Sequence, residues 1–301
     1  MWEDIWFSAR DGAQLYGRRY RGGAARRSLL CIPGLVGNCA EFDTLANALS
    51  LSGPASRAVF SIDCRGRARS ASAGNRQGST MLTECEDILD FMTLTGQDDV
   101  AVLGSGHGGQ LAMILALLRP SAVGALILND SGPEFEIEGV VRLLGEVTNL
   151  PLPQSWPDAA AMLKRLHSRR YVRLNAEQWM EMARAFYLEV DGRPARTVDP
   201  SIAAAYSVSK GTARRQTLWP QFAALARIPI LLLRAELSDS LGEATVVRMR
   251  DIHPNLEVSR IAGEGHPALL RDTASIASIA QFLLRNERSQ AVAAGALKAV
   301  A

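Results

Sequence analysis

Cysteine and histidine are scarce in this chain, four of each in 301 residues, and neither falls in a metal-binding rhythm. Cys31, Cys39, Cys64 and Cys85 form no Cys-x-x-Cys pair and share no ligand spacing with His107, His167, His253 or His266. They read as reduced thiols, not as zinc ligands or a disulfide framework. Charge of one sign is lacking too: 33 basic against 31 acidic side chains leave a net +2. So weak a field recruits neither nucleic acid nor an anionic membrane. No apolar run approaches the roughly 20 residues that cross a bilayer; the strongest, 111–118, stops at Arg119-Pro120. The opening Met1-Trp2-Glu3-Asp4 puts acids where a secretory leader carries Lys or Arg, so a cytoplasmic location is expected. The expected partner is a small-molecule substrate, no cofactor is expected, and the oligomeric state is left open.

What is present is ordinary globular material, 48% apolar and 21% charged, enough for one sizeable core. Short apolar runs at 29–32, 58–62, 100–103, 125–128, 230–233 and 256–261 end in turn residues and alternate with amphipathic stretches. Phe42, Leu45, Ala46 and Leu49 follow at helical spacing, as do Ile276, Ile279, Ala280 and Leu283. Thr83 with Glu86 predicts a helix start, and Gly96 its end. Such alternation predicts an α/β fold with a mostly parallel sheet and helices on both faces. After Glu134 the strand rhythm gives way to helical patterns such as Trp179, Met182, Ala183 and Phe186, with prolines at the joints. The expected organisation is a core of 1–134 and 228–288, a helical insertion of 135–227, and a frayed tail of 289–301. At helical spacing, Trp156, Trp179, Met180, Met182 and Phe186 are expected to pack the insertion's helices together. His167 and His253, in polar surroundings, are expected at the surface.

In open parallel sheets, chemistry gathers at the C-terminal ends of strands. Five ends carry suggestive residues: Pro33-Gly34-Leu35-Val36-Gly37-Asn38, Asp63-Cys64-Arg65-Gly66, Gly104-Ser105-Gly106-His107-Gly108-Gly109, Glu236-Leu237-Ser238-Asp239 and Gly263-Glu264-Gly265-His266-Pro267. Taken in that order, the chain resembles the α/β-hydrolase superfamily, whose nucleophile elbow reads G-x-S-x-G and is followed by an acid and then a histidine. It looks closest to bacterial hydrolases with a helical cap. The resemblance implies that Asp239 is the triad acid, His266 the base, and the backbone N–H groups of Leu35 and His107 the oxyanion hole. Arg65 and Arg67 are expected to make structural contacts, because a D-x-R-G turn accompanies the family whatever the substrate.

The departure is at the centre. Aligning Gly104 and Gly108 with the elbow glycines puts Gly106 on the nucleophile position. Making Ser105 the nucleophile would require glycines where the chain has Leu103 and His107. Three chemistries are compatible with this glycine. One is hydrolysis of a small ester, lactone or thioester by water that His266 and Asp239 activate. A second is proton abstraction by His266, giving a cofactor-independent lyase, isomerase or oxygenase. The third is ligand binding without catalysis. A rival reading takes Gly104, Gly106 and Gly109 as G-x-G-x-x-G and Asp130 as the acid of a dinucleotide (NAD) site. It leaves Asp239 and His266 without a role.

Overall fold

The computed structural model describes residues 1–23, 26–71, 80–149, 151–199, 202 and 217–298. Its strands are β1 (Glu3–Ser8), β2 (Gln14–Tyr20), β3 (Ser28–Ile32), β4 (Val59–Asp63), β5 (Val100–Ser105), β6 (Val123–Asn129), β7 (Leu188–Val190), β8 (Arg193–Ala195), β9 (Ile230–Ala235) and β10 (Leu256–Ile261). Eight of them form one sheet in the order β1-β2-β4-β3-β5-β6-β9-β10. The first two pairings are antiparallel and the remainder parallel.

The central strands are apolar runs because both faces of the sheet are covered. Side chains alternate between faces, so each run is divided between two cores. Leu30, Ile32, Val102, Leu126, Leu128, Ile230 and Leu232 face one side. There they meet α2 (Met81–Leu94), α3 (His107–Leu118), and two later helices, Trp219–Ala224 and Glu243–Ile252. Leu29, Cys31, Ala101, Leu103, Ile127, Leu231 and Leu233 face the other, against α1 (Asp43–Ser50) and the last helix, Thr273–Lys298. Each fully buried Leu or Ile stabilises the fold by about 1.5–3 kcal/mol relative to exposure.

Between β6 and β9 run α4 (Ile137–Asn149), α5 (Trp156–His167), α6 (Ala176–Phe186) and then the β7–β8 pair. Trp179 and Met182 are buried in a cluster with Ala159, Leu163, Tyr171 and Leu269, and Trp156, Met180 and Phe186 pack against it. These aromatic and Met positions pack as their spacing predicts.

Several expectations need correction. The edge strand β1 and its neighbour β2 carry interleaved charged residues and no long apolar run, so their pattern passed unread. The segment 135–227 is not wholly helical: β7 and β8 form a hairpin whose Asp191-Gly192 turn has positive φ at both residues (50° and 75°), the geometry Asp-Gly favours. The last helix runs to Lys298, past Ser289 where a frayed tail is expected. Helix α2 starts at Met81, capped by the Thr80 hydroxyl, not at Thr83. His167 and His253 are buried, not superficial. Burial, with Arg170 and Arg142 nearby, pushes His167 down to about 3, so it stays neutral, while His253 Nε2 bonds the Leu225 carbonyl at 2.9 Å. All four cysteines are free and buried.

Candidate active site

The turn from β5 into α3 is built by close approach. A Cβ on Gly104 would strike the Gly108 carbonyl, and one on Gly108 would strike the Ile32 and Pro33 carbonyls. Only glycines let helix and strands come this near, which fixes the frame and puts Gly106 at the apex. Gly106 has φ 49° and ψ −114°, a left-handed conformation that side chains seldom adopt. A Cβ there would lie 2.9 Å from His266 Nε2 and 3.0 Å from Cε1. The imidazole's Nε2 edge therefore faces the position that the elbow presents.

The histidine's partner differs from expectation. His266 Nδ1–H donates to Asp130 Oδ2 at 2.9 Å, and both side chains are buried. Asp130 terminates β6 with φ 48°. Its Oδ1 accepts the Ala235 amide at 3.0 Å and lies 3.4 Å from Arg234 Nη1. Because Oδ2 accepts from Nδ1, the imidazole's basic lone pair falls on Nε2. The edge of the Phe135 ring closes the other flank, its centroid 5.8 Å from that of the imidazole.

Asp239, expected as the acid, is engaged elsewhere. Arg142 of α4 holds it in a bidentate grip, Nε–Oδ2 at 2.6 Å and Nη2–Oδ1 at 2.8 Å. Arg170 stands 3.6 Å away and the Ser240 hydroxyl donates at 3.0 Å. Burial pushes this carboxyl up, but the Arg142 hydrogen bonds and charge, with Ser240 and Arg170, outweigh it and bring the carboxyl down to about 2. The His266–Asp239 contact expected from chain order is absent, and Asp130 takes that place. Asp130 is likewise unavailable for the ribose hydroxyl that a dinucleotide would present, since it is fully buried behind His266.

Leu35 and His107 both line a cavity of about 250 Å³ in front of His266. Behind them runs a buried polar chain. Arg67 donates from Nε to the Leu35 carbonyl at 3.0 Å and pairs with Glu84. Glu84 in turn meets His107 Nε2 at 2.6 Å. One ion pair thus braces both residues that flank Gly106. Arg65 holds Asp11 and Asp87 instead, a structural role as expected. The remaining cavity wall is mostly apolar, with Val36 from the core and Ile137, Val140, Leu143 and Leu144 from α4.

Sequence reading missed a further residue. Glu41 sits on the cavity wall, in the turn Cys39–Phe42 that follows the Gly34–Asn38 loop. Burial raises its carboxyl to about 7, opposed by hydrogen bonds from Ser105 and the Gly34 amide and by the field of His266. No local motif in the sequence marks Glu41.

The model of the alpha/beta hydrolase fold matches residues 27–273. The chain belongs to that family. This alpha/beta hydrolase is 31% identical to an alpha/beta hydrolase from Novosphingobium aromaticivorans, whose crystal structure superposes with a TM-score of 0.85 over 94% of this chain and 98% of that one. It is 29% identical over 264 residues to the 3-hydroxybutyrate-oligomer hydrolase of Cupriavidus necator, covering 85% of this chain and 88% of that protein. E-2-(acetamidomethylene)succinate hydrolase shares the fold, with a TM-score of 0.77 at 19% identity. Fold and relatives together indicate a hydrolase. Among the described residues no helix is long and apolar enough to cross a membrane.

Proposed function

We propose that this protein hydrolyses a small ester, lactone or thioester with water, not a side chain, as the nucleophile. The observation that carries the reading is Gly106 itself, an apex without a side chain that His266 Nε2 faces while Asp130 backs the ring. Because residue 106 carries no side chain, a water seated on the cavity side of the glycine, at van der Waals distance from its Cα, is able to meet Nε2 directly.

Nε2 takes a proton from this water as its oxygen attacks the carbonyl carbon. The carbonyl oxygen becomes an oxyanion held by the N–H groups of Leu35 and His107. When the tetrahedral species collapses, the bond to the alkoxide or thiolate breaks and Nε2–H returns its proton to the leaving group. Asp130 stabilises the imidazolium between the two transfers. Under this reading the segment 135–227 serves as the cap, and its α4 side chains give the acyl group an apolar enclosure that excludes bulk water.

The test is hydrolysis of an ester, lactone and thioester panel in 18O-water. Expected are slow turnover, one 18O in the released acid, no acyl-protein adduct by intact mass, and loss of turnover in His266→Ala. Absence of turnover on the whole panel overturns the proposal in favour of proton abstraction or ligand binding.

A further inference from the structure

Two cavities meet at one partition. The larger, about 250 Å³, lies in front of His266, the smaller is about 80 Å³, and Val36 and Phe186 are walls of both. Helix α4 runs along the two in succession, with Val140, Leu143 and Leu144 on the larger and Val147 on the smaller. From Val140 to Val147 a helix rises about 10 Å, so a chain laid along α4 from the larger cavity heads at the partition. Leu152, Leu163 and Val198 give the smaller cavity further apolar wall. Polar groups beside them are occupied: Glu146 pairs with Arg142 and Arg170, and Arg196 donates to the Val147 carbonyl at 3.1 Å.

The partition is anchored. Val36 directly follows Leu35, the expected oxyanion donor, and in the same loop Asn38 Nδ2 donates to the Ala185 carbonyl at 2.6 Å. Phe186 comes next, the last residue of α6, and its own carbonyl accepts the Thr197 hydroxyl at 2.8 Å. Its ring lies beside that of His167, centroids 6.5 Å apart, and His167 lines the smaller cavity. The loop that carries the oxyanion donor is thus bonded to the helix end that carries the ring.

We propose that Phe186, together with Val36, is the specificity-determining stop for the substrate's chain and restricts the site to short-chain acyl groups. This rests on the hydrolytic reading of the larger cavity. At roughly 30 Å³ for each water-sized group, that cavity takes about eight non-hydrogen atoms, the carbonyl included, and the smaller one about two or three. A chain that outgrows the first meets the Phe186 ring. Entering the second means displacing a side chain whose backbone is fastened at Asn38 and Thr197.

Binding of methyl ketones, which cannot be hydrolysed, tests the stop without any need for turnover. A series from butan-2-one to undecan-2-one is titrated by ligand-observed NMR into the wild type, Phe186→Leu, Phe186→Ala, and Phe186→Ala combined with Leu152→Trp. Thermal melting establishes that each variant is folded. In the wild type, affinity should rise about fourfold per methylene and level off by about octan-2-one. Phe186→Ala should carry the rise on by about three carbons, through the room of the lost ring into the smaller cavity, and Phe186→Leu by fewer. Leu152→Trp fills the smaller cavity from its exposed rim and should take part of that extension back. A rise without a break in the wild type, a break at the same length in both Phe186 variants, an extension that Leu152→Trp leaves untouched, or no binding of any ketone overturns the proposal. If the break moves as expected while the ester, lactone and thioester panel is not hydrolysed, the hydrolytic reading fails and the stop stands.

Discussion

Substituting serine for Gly106 puts a hydroxyl in front of His266 Nε2 and tests the site's geometry through both stability and chemistry. The backbone at 106, with φ 49° and ψ −114°, costs a residue with a side chain about 1–3 kcal/mol. The new Cβ would sit 2.9 Å from Nε2 and 3.0 Å from Cε1, so the imidazole must yield by a few tenths of an ångström while Asp130 holds its far side. A melting temperature lower by about 2–12 °C follows from roughly 2–4 °C per kcal/mol. In return the hydroxyl gains a general base and the oxyanion donors already in place. Turnover of 4-nitrophenyl butyrate should rise by at least about 10²-fold, a small part of the roughly 10⁶-fold that separates a complete triad from one without its nucleophile.

The assay combines differential scanning fluorimetry, ester kinetics and intact-mass detection of a fluorophosphonate adduct. Gly106→Ala is the control, since it carries the same backbone strain and ring contact without the hydroxyl; it should melt with the serine variant and take no label. Gly106→Ser combined with His266→Ala should also remain unlabelled. A folded serine variant that neither labels nor gains turnover would refute the placement of residue 106 at the nucleophile position. A serine variant as stable as the wild type would refute the strain argument separately.

Three further outcomes follow. In the Gly106→Ser background, Asp130→Asn should lower turnover by about three to four orders of magnitude by removing the charge and letting the amide hold the imidazole in the wrong tautomer, whereas Asp239→Asn should change it by only a few-fold; equal losses would return the acid role to Asp239. Because the folded Asp239 carboxyl lies at about 2 against an ordinary 3.8, its contribution of about 2 kcal/mol is complete above pH 4 and vanishes as pH falls toward 2. Urea midpoints of wild type and Asp239→Asn should therefore differ at pH 6 and converge near pH 2, and a constant difference would contradict the shift.

How far the sequence reveals the molecule depends on how local each signal is. The central strands were legible because parallel strands buried on both faces must be continuous apolar runs, and β3, β5, β6 and β9 are. The elbow was legible because its glycines stand at a fixed spacing within a few residues of chain, although the backbone that Gly108 admits, Ile32 and Pro33, comes from far away. β1, at the sheet edge, and β2 beside it were not, since charged residues interrupt both. Glu41 was not either: nothing in the neighbouring sequence distinguishes a helix-turn acid at the surface from one folded under a loop against Ser105, far along the chain. The identity of the acid was the least local question of all, because it turns on which carboxylate reaches a histidine contributed from beyond β10.

The sheet order shows why two candidates competed and why one prevailed. β6 and β9 are neighbours, so Asp130 and Asp239 follow adjacent strand ends, on the same edge as the loop that carries His266. Chain order alone cannot separate them, but their surroundings do. Asp239 meets the guanidinium groups of Arg142 and Arg170, both from the segment between β6 and β9, and its oxygens accept from Arg142 and the Ser240 hydroxyl, not from an imidazole. Asp130 meets the amide of Ala235 on one oxygen and His266 on the other. The charge that would have served the base instead fastens α4 to the core beside the cavity that α4 helps to wall. An arginine at position 142 is therefore the residue that decides the assignment, although it touches neither His266 nor Gly106.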